Sequence, residues 1–266
     1  MPAPINTFKQ AITNGQLQIG FWQSLGTTIT AEISAYSGFD WLLIDGEHGP
    51  NDIRSIRDQL QVVGPSPSQA VVRIAGVDVV AVKQVMDSGA QTVLVPIVDT
   101  PQDADLMARA MRYPPHGIRG NGSGVVRAAD YGRLAGYLDN ANDEACLLVQ
   151  AETMTAISNL DAICAVNGVD GVFIGPADLA TSMGHIGDPG HPEVQRVIED
   201  AITRIRANGK APGILMADET RVRRYIELGA LFVAVGSDVA ILGNGAKNLA
   251  AKYLGGATGA TKGQVY

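Results

Sequence analysis

The sequence predicts a (β/α)8 barrel, a closed ring of eight parallel strands wrapped by helices. Three observations carry this. Short apolar runs alternate with longer stretches of helical periodicity along the whole chain. Glycines recur where a helix should stop and a strand begin, in "SGFDW", "SGAQT", "NGVDG" and "LGALF". The 266 residues, 46% hydrophobic and 18% charged, have the size of one such barrel and can bury its core.

The strands are expected, in order, at residues 18–22 (QIGFW), 41–45 (WLLID), 70–74 (AVVRI), 92–97 (TVLVPI), 145–151 (ACLLVQA), 171–175 (GVFIG), 213–217 (GILMA) and 231–236 (LFVAVG). Helices with an apolar face at three- and four-residue intervals are expected at 51–63, 77–88, 100–112, 193–208, 219–228 and 238–253. The segment 113–144 breaks the rhythm. It is too long and glycine-rich for an ordinary connector, which predicts a functional or interface element rather than a tolerated insertion. The barrel domain is expected over residues 1–255, with a flexible C-terminal tail at 256–266.

Composition excludes several classes. A net charge of -7 and a pI near 5.0, with Lys and Arg scattered, argue against nucleic acid as a partner. Cys146 and Cys164 have neither metal-ligand spacing nor the density of a disulfide scaffold, and read as core residues. The start "MPAPINTFKQAI" lacks a long apolar stretch, and no apolar run reaches the ~18 residues of a membrane span. A cytoplasmic protein without a membrane partner is expected.

Catalytic groups of this fold sit at the C-terminal ends of strands. There the sequence places Trp22 on the first strand, Asp45, Glu47 and His48 on the second, and Arg73 on the third. Gln150 and Glu152 end the fifth, and Asp178 follows the sixth. Glu152 and Asp178, two carboxylates without Cys or His beside them, are the expected ligands of a hard divalent cation such as Mg²⁺, Mn²⁺ or Co²⁺, with Zn²⁺ also admissible. The plainer alternative is that each caps the helix that follows it. In "GPADL", Pro176 suits a first helical turn, so the amides of Ala177 and Asp178 are expected to receive a substrate carboxylate. With the metal, this would chelate a 2-oxo acid.

Arg73 is expected beside the keto oxygen, where a fixed guanidinium stabilises developing enolate charge. His48, flanked by glycines, is the expected general acid/base. Asp45 or Asp87 is expected to orient it, Asp87 lying at the end of the helix predicted at 77–88, where a neighbouring subunit is also within its scope. Trp22, Leu215, Met216 and residues 120–125 are expected to shape the acceptor pocket.

The segments "GFDWLLIDGEHGPND", "VVRI", "SGAQTVLVPIVDT", "RYPPHGIRG", "LLVQAET", "GVDGVFIGPADLA", "KAPGILMA" and "LGALFVAVGSD" resemble the HpcH/HpaI aldolase family, metal-dependent class II pyruvate aldolases. The resemblance runs in one register from about Phe8 to Tyr253. It implies a (β/α)8 barrel whose last helix is exchanged with a neighbouring subunit, in a homohexamer built as a dimer of trimers. It implies Glu152 and Asp178 as metal ligands, Arg73 as keto-oxygen and enolate stabiliser, and His48 as acid/base with Asp45 or Asp87 assisting. Gln150 would bind water on the metal. The implied reaction is reversible cleavage of 4-hydroxy-2-oxo acids, such as 4-hydroxy-2-oxoheptanedioate, to pyruvate and an aldehyde such as succinic semialdehyde, through a metal-bound pyruvate enolate.

Rival readings are an aldolase for 2-dehydro-3-deoxy sugar acids, an acyl-CoA lyase of the citrate-lyase type, and a barrel that only binds a 2-oxo acid. A Schiff-base aldolase needs a lysine in the barrel mouth. Lys9, Lys83, Lys210, Lys247, Lys252 and Lys262 end none of the predicted strands.

Overall fold

The structure, a computed structural model, describes residues 1–254 of the chain. The expected tail at 256–266 lies outside the described residues. Strands β1 (Gln18–Gln23), β2 (Trp41–Asp45), β3 (Gln69–Arg73), β4 (Thr92–Val95), β5 (Cys146–Ala151), β6 (Val169–Ile174), β7 (Ala211–Leu215) and β8 (Phe232–Ser237) close into a parallel barrel in chain order. Helix α1 (Thr7–Thr13) precedes the first strand, and α2 (Thr28–Ala35), α3 (Ile53–Val63), α4 (Val79–Asp87) and α5 (Pro101–Ala110) follow strands one to four. Helix α6 (Tyr137–Glu144) leads into β5, which is followed by α7 (Met154–Ser158) and α8 (Leu160–Cys164). Helices α9 (Pro176–Ser182) and α10 (Pro192–Ala207) follow β6, α11 (Glu219–Glu227) follows β7, and α12 (Asp238–Leu254) follows β8.

All eight expected strands are present, β2 on its expected residues and the others with shifted ends. Strand β4 stops at Val95 because Pro96 and Ile97 leave the ladder, Ile97 with φ +53°. Strand β7 ends at Leu215, so Met216 and Ala217 lie beyond it. Its register follows from the interior: a side chain at Gly213 would meet the Phe232 ring at 2.1 Å. Helix α3 begins at Ile53 rather than 51 because the Asp52 carboxylate caps it, accepting from the amides of Arg54 and Ser55. The glycines expected at helix ends behave as expected, since Gly38, Gly89, Gly168 and Gly229 all have φ near +100° (+95°, +108°, +109° and +108°).

Two apolar layers hold the barrel. The outer one packs the strands against the helices, and the inner one fills the ring with Trp41, Leu43, Val71, Leu94, Leu148, Phe173 and Phe232. The fully buried Phe8 of α1 closes the N-terminal end, its ring 5.8 Å from that of Trp41 and 5.9 Å from that of Phe232. The opposite end is left for chemistry.

The long excursion is folded, not loose. Tyr113, Ala129, Tyr137 and Ala141 form a small core of their own with Ala3. Arg119, buried, lies 4.5 Å above the Tyr113 ring and donates to Asp87 at 2.9 Å, tying the excursion to the end of α4.

Helix α12 is anchored at its start, where the buried Asp238 accepts from the amides of Ser24 and Leu25 at 2.9 and 3.0 Å. Further along, Ile241, Leu242, Leu249, Tyr253 and Leu254 are exposed. Among the described residues no helix is long and apolar enough to cross a membrane.

Candidate active site

The site is built from the C-terminal ends of β2, β3, β5 and β6. Asp45 and Arg73 are partners on the last rung of the β2–β3 ladder. Asp45 Oδ1 accepts from Arg73 Nε at 2.9 Å, and Oδ2 from Arg73 Nη2 at 2.6 Å and from the Trp22 indole N–H at 3.0 Å. The amides of Glu47 and His48 donate to Oδ1 at 3.0 and 3.3 Å. Burial of Asp45 works against its charge, but the Arg73 bond and charge, with Trp22 and the Glu47 amide, outweigh it and hold the carboxyl below its ordinary range.

Arg73 is fixed on three sides. Its Nη1 lies 2.8 Å from Glu47 Oε2, and its guanidinium stands 4.8 Å from the centre of the Trp22 ring. Gly46 permits this crossing, because a side chain there would meet the Arg73 carbonyl at 2.6 Å. Trp22 therefore clamps the arginine in addition to lining the barrel.

Glu152 is buried at the end of β5. Its Oε1 accepts from the Ile97 amide at 2.8 Å, and its Oε2 from Gln150 Nε2. Burial chiefly, with the negative charges of Asp178 and Glu47, pushes Glu152 up to about 7 against the bonds from Gln150 and Ile97. Glu47 is also raised, again chiefly by burial and with Asp178 contributing. Gly175 leaves room for the carboxylate, since a side chain there would lie 2.6 Å from Glu152 Oε2.

Neither carboxylate serves as the helix cap considered above. Thr153 caps α7, accepting from the Ala156 amide, and α9 starts at Gly175 without a side-chain cap, with Asp178 exposed in its first turn. Glu47 and Glu152, both raised with the charge of Asp178 contributing, beside a buried Gln150 Oε1 with no hydrogen-bond partner among the described residues, fit a hard divalent cation.

His48 stands at the rim, its side chain 61% exposed and its Nε2 3.8 Å from Glu47 Oε1. Within one chain neither expected carboxylate reaches its ring: Asp45 is bonded to Arg73, and Asp87 to Arg119. Ala177 is half-buried in the first turn of α9, and Leu215 packs against the inner core. Residues 120–125 adjoin the Asp87–Arg119 pair through Gly122 and Arg119 rather than forming part of the β-strand ends. Two contributors went unassigned at the sequence level. Glu47 carries a visible signal, two residues beyond Asp45 at a strand end, whereas the Ile97 amide carries none.

Together these features define a (β/α)8-barrel enzyme with an acidic mouth and a fixed guanidinium. The family model "HpcH/HpaI aldolase/citrate lyase" matches residues 18–244, and the chain belongs to that family. It is 55% identical over 257 residues to the hydroxypyruvate/pyruvate aldolase of Pseudomonas aeruginosa, covering 97% of this chain and 96% of that protein. It is 56% identical over 256 residues to the 4-hydroxy-2-oxo-heptane-1,7-dioate aldolase of Klebsiella pneumoniae subsp. pneumoniae, covering 96% and 97%. The crystal structure of an HpcH/HpaI aldolase/citrate lyase family protein from Burkholderia cenocepacia superposes with a TM-score of 0.89 at 37% identity, covering 93% of this chain and 98% of that one.

Proposed function

We propose that the protein is a class II pyruvate aldolase that cleaves 4-hydroxy-2-oxo acids to pyruvate and an aldehyde, and runs the addition in reverse. The observation that carries this is the Asp45–Arg73–Glu47 constellation, a locked guanidinium whose partner Glu47 feels the charge of Asp178 and acts in turn on Glu152. Glu152 and Asp178 would hold a divalent cation, with Mg²⁺, Mn²⁺ and Co²⁺ the candidates and Zn²⁺ also admissible, and it would supply Lewis acidity toward the substrate.

The chain's own residues do the rest. His48 removes the proton from the C4 hydroxyl, the C3–C4 bond breaks, and the aldehyde leaves. Negative charge then collects on the keto oxygen of the pyruvate enolate, where Arg73 meets it without reorganisation because Asp45, Glu47 and Trp22 already hold it, and the proton that His48 took up returns to C3 to give pyruvate. Gln150 fixes Glu152 and keeps its own Oε1 free for water or substrate. The first-turn amides of Ala177 and Asp178 take the substrate carboxylate. Leu215 and Met216 line the aldehyde side.

The relatives' names support 4-hydroxy-2-oxoheptanedioate as one substrate and hydroxypyruvate as a second donor beside pyruvate. The apolar residues left exposed on α12 support exchange of that helix with a neighbouring copy in a homohexamer. The free, buried thiols of Cys146 and Cys164 suit a reducing, cytoplasmic setting. The test is exchange of pyruvate C3 protons in D₂O, which isolates enolisation from the aldehyde. Wild type should exchange them and Arg73→Ala should not; equal exchange by both would remove Arg73 from the reaction.

A further inference from the structure

Away from the barrel mouth, one group of side chains has no place in this chemistry. His185 follows the C-terminal end of α9, and His191 and Glu193 stand at the start of α10. The two imidazoles stack, centroids 3.6 Å apart and planes within 16°. His185 Nε2 lies 3.0 Å from Glu193 Oε2, and one ligand atom from each of the three residues falls within 4.8 Å of the others. We infer that His185, His191 and Glu193 form a second cation site, selective for a transition metal such as Zn²⁺.

The donor set sets the selectivity. Two imidazoles with one carboxylate suit Zn²⁺, Co²⁺, Ni²⁺ or Cu²⁺ and offer little to Mg²⁺, the reverse of the all-oxygen mouth. The backbone that presents the ligands is pinned. The His185 amide donates to the Ala180 carbonyl at 2.8 Å, the Asp188 amide to the His185 carbonyl at 3.0 Å, and the His191 amide to the Asp188 carbonyl at 3.1 Å. Gln195 holds the Pro189 carbonyl at 2.8 Å while accepting from the Tyr225 hydroxyl at 2.7 Å. Little ordering of the backbone is left for the metal to impose.

An ion must displace the 3.0 Å contact of His185 with Glu193, and the other bonds at these groups are weak. His191 Nδ1 accepts a 3.3 Å bond from the Glu193 amide, and Arg196 stands 4.0 Å from Glu193 Oε1, the far oxygen of that carboxylate. His185 is three-quarters covered (side chain 24% exposed) while Glu193 is open (56%), so a metal can enter from solvent and keep water in its remaining position. Once seated, it ties the end of α9, the helix that carries Asp178, to the start of α10.

Equilibrium dialysis of the intact protein against Zn²⁺ in excess Mg²⁺, with the bound zinc counted, tests this. Glu152→Ala/Asp178→Ala protein, which lacks the proposed mouth ligands, should retain one zinc per chain and gain thermal stability from it. Adding His185→Ala and His191→Ala should abolish both the zinc and the stabilisation, with the circular dichroism spectrum unchanged. Zinc retained by the protein that also carries His185→Ala and His191→Ala, or absent from the Glu152→Ala/Asp178→Ala protein, overturns the site. Because zinc is counted with the mouth disabled, the result does not depend on aldolase activity.

Discussion

The Ile97 amide donates to Glu152 Oε1 at 2.8 Å, and it does so from a left-handed backbone conformation (φ +53°) that β-branched residues rarely adopt. The turn after β4 thus aims a peptide dipole at a carboxylate on β5, and the conformational strain of about 1–2 kcal/mol is borne by the fold. Ile97→Gly should therefore keep activity and leave stability unchanged or raise it by about 1 kcal/mol, measured by urea denaturation. Ile97→Pro, which has no N–H and cannot take a positive φ, should lose divalent-ion affinity in calorimetric titration.

Asp45 and Arg73 form a buried pair with side chains 1% and 7% exposed. Asp45→Asn keeps the shape but removes the charge that balances the guanidinium. Destabilisation of about 3 kcal/mol is expected. Loss of the arginine's fixed pose should lower kcat about 100–1000-fold with a smaller change in KM, read from steady-state kinetics.

Burial raises the thiol pKa of both cysteines, Cys164 to about 11. At pH 8 neither should form appreciable thiolate in the folded protein. A colorimetric thiol assay should find almost none in native protein and both in denaturant. Rapid native labelling would contradict the burial.

Ile241 and Leu242 lie on α12, 64% and 61% exposed. Ile241→Asp/Leu242→Asp should convert the proposed hexamer to smaller species by light scattering, while the barrel keeps its circular dichroism. An unchanged mass would remove α12 from the assembly.

Much of this was legible in the sequence, and the exceptions have physical reasons. Strand β2 falls on the expected residues 41–45 because an uninterrupted apolar run ends abruptly in Asp-Gly-Glu-His. Arg73 stands out because a charge inside "VVRI" needs a partner. The partner itself is set by register between β2 and β3, which pairs Asp45 with Arg73 and so withdraws Asp45 from His48. Asp87 meets Arg119 only through the folded excursion, 32 residues away in the chain, and no local pattern reports such a contact. The short α7 and α8 escaped because five residues each are too few to show a period. Ile97 escaped because nothing about an isoleucine announces a positive φ.

The central claim is that carboxylates in the barrel mouth hold a divalent ion on which aldol cleavage depends. The most direct measurement is pyruvate release from 4-hydroxy-2-oxoheptanedioate by EDTA-treated protein, with and without added Mg²⁺ or Mn²⁺, beside Glu152→Ala. The account predicts no release without metal, recovery on adding it, and a Glu152→Ala variant inactive throughout. Equal release with and without metal would contradict it and leave Glu152 and Asp178 without the role argued for them.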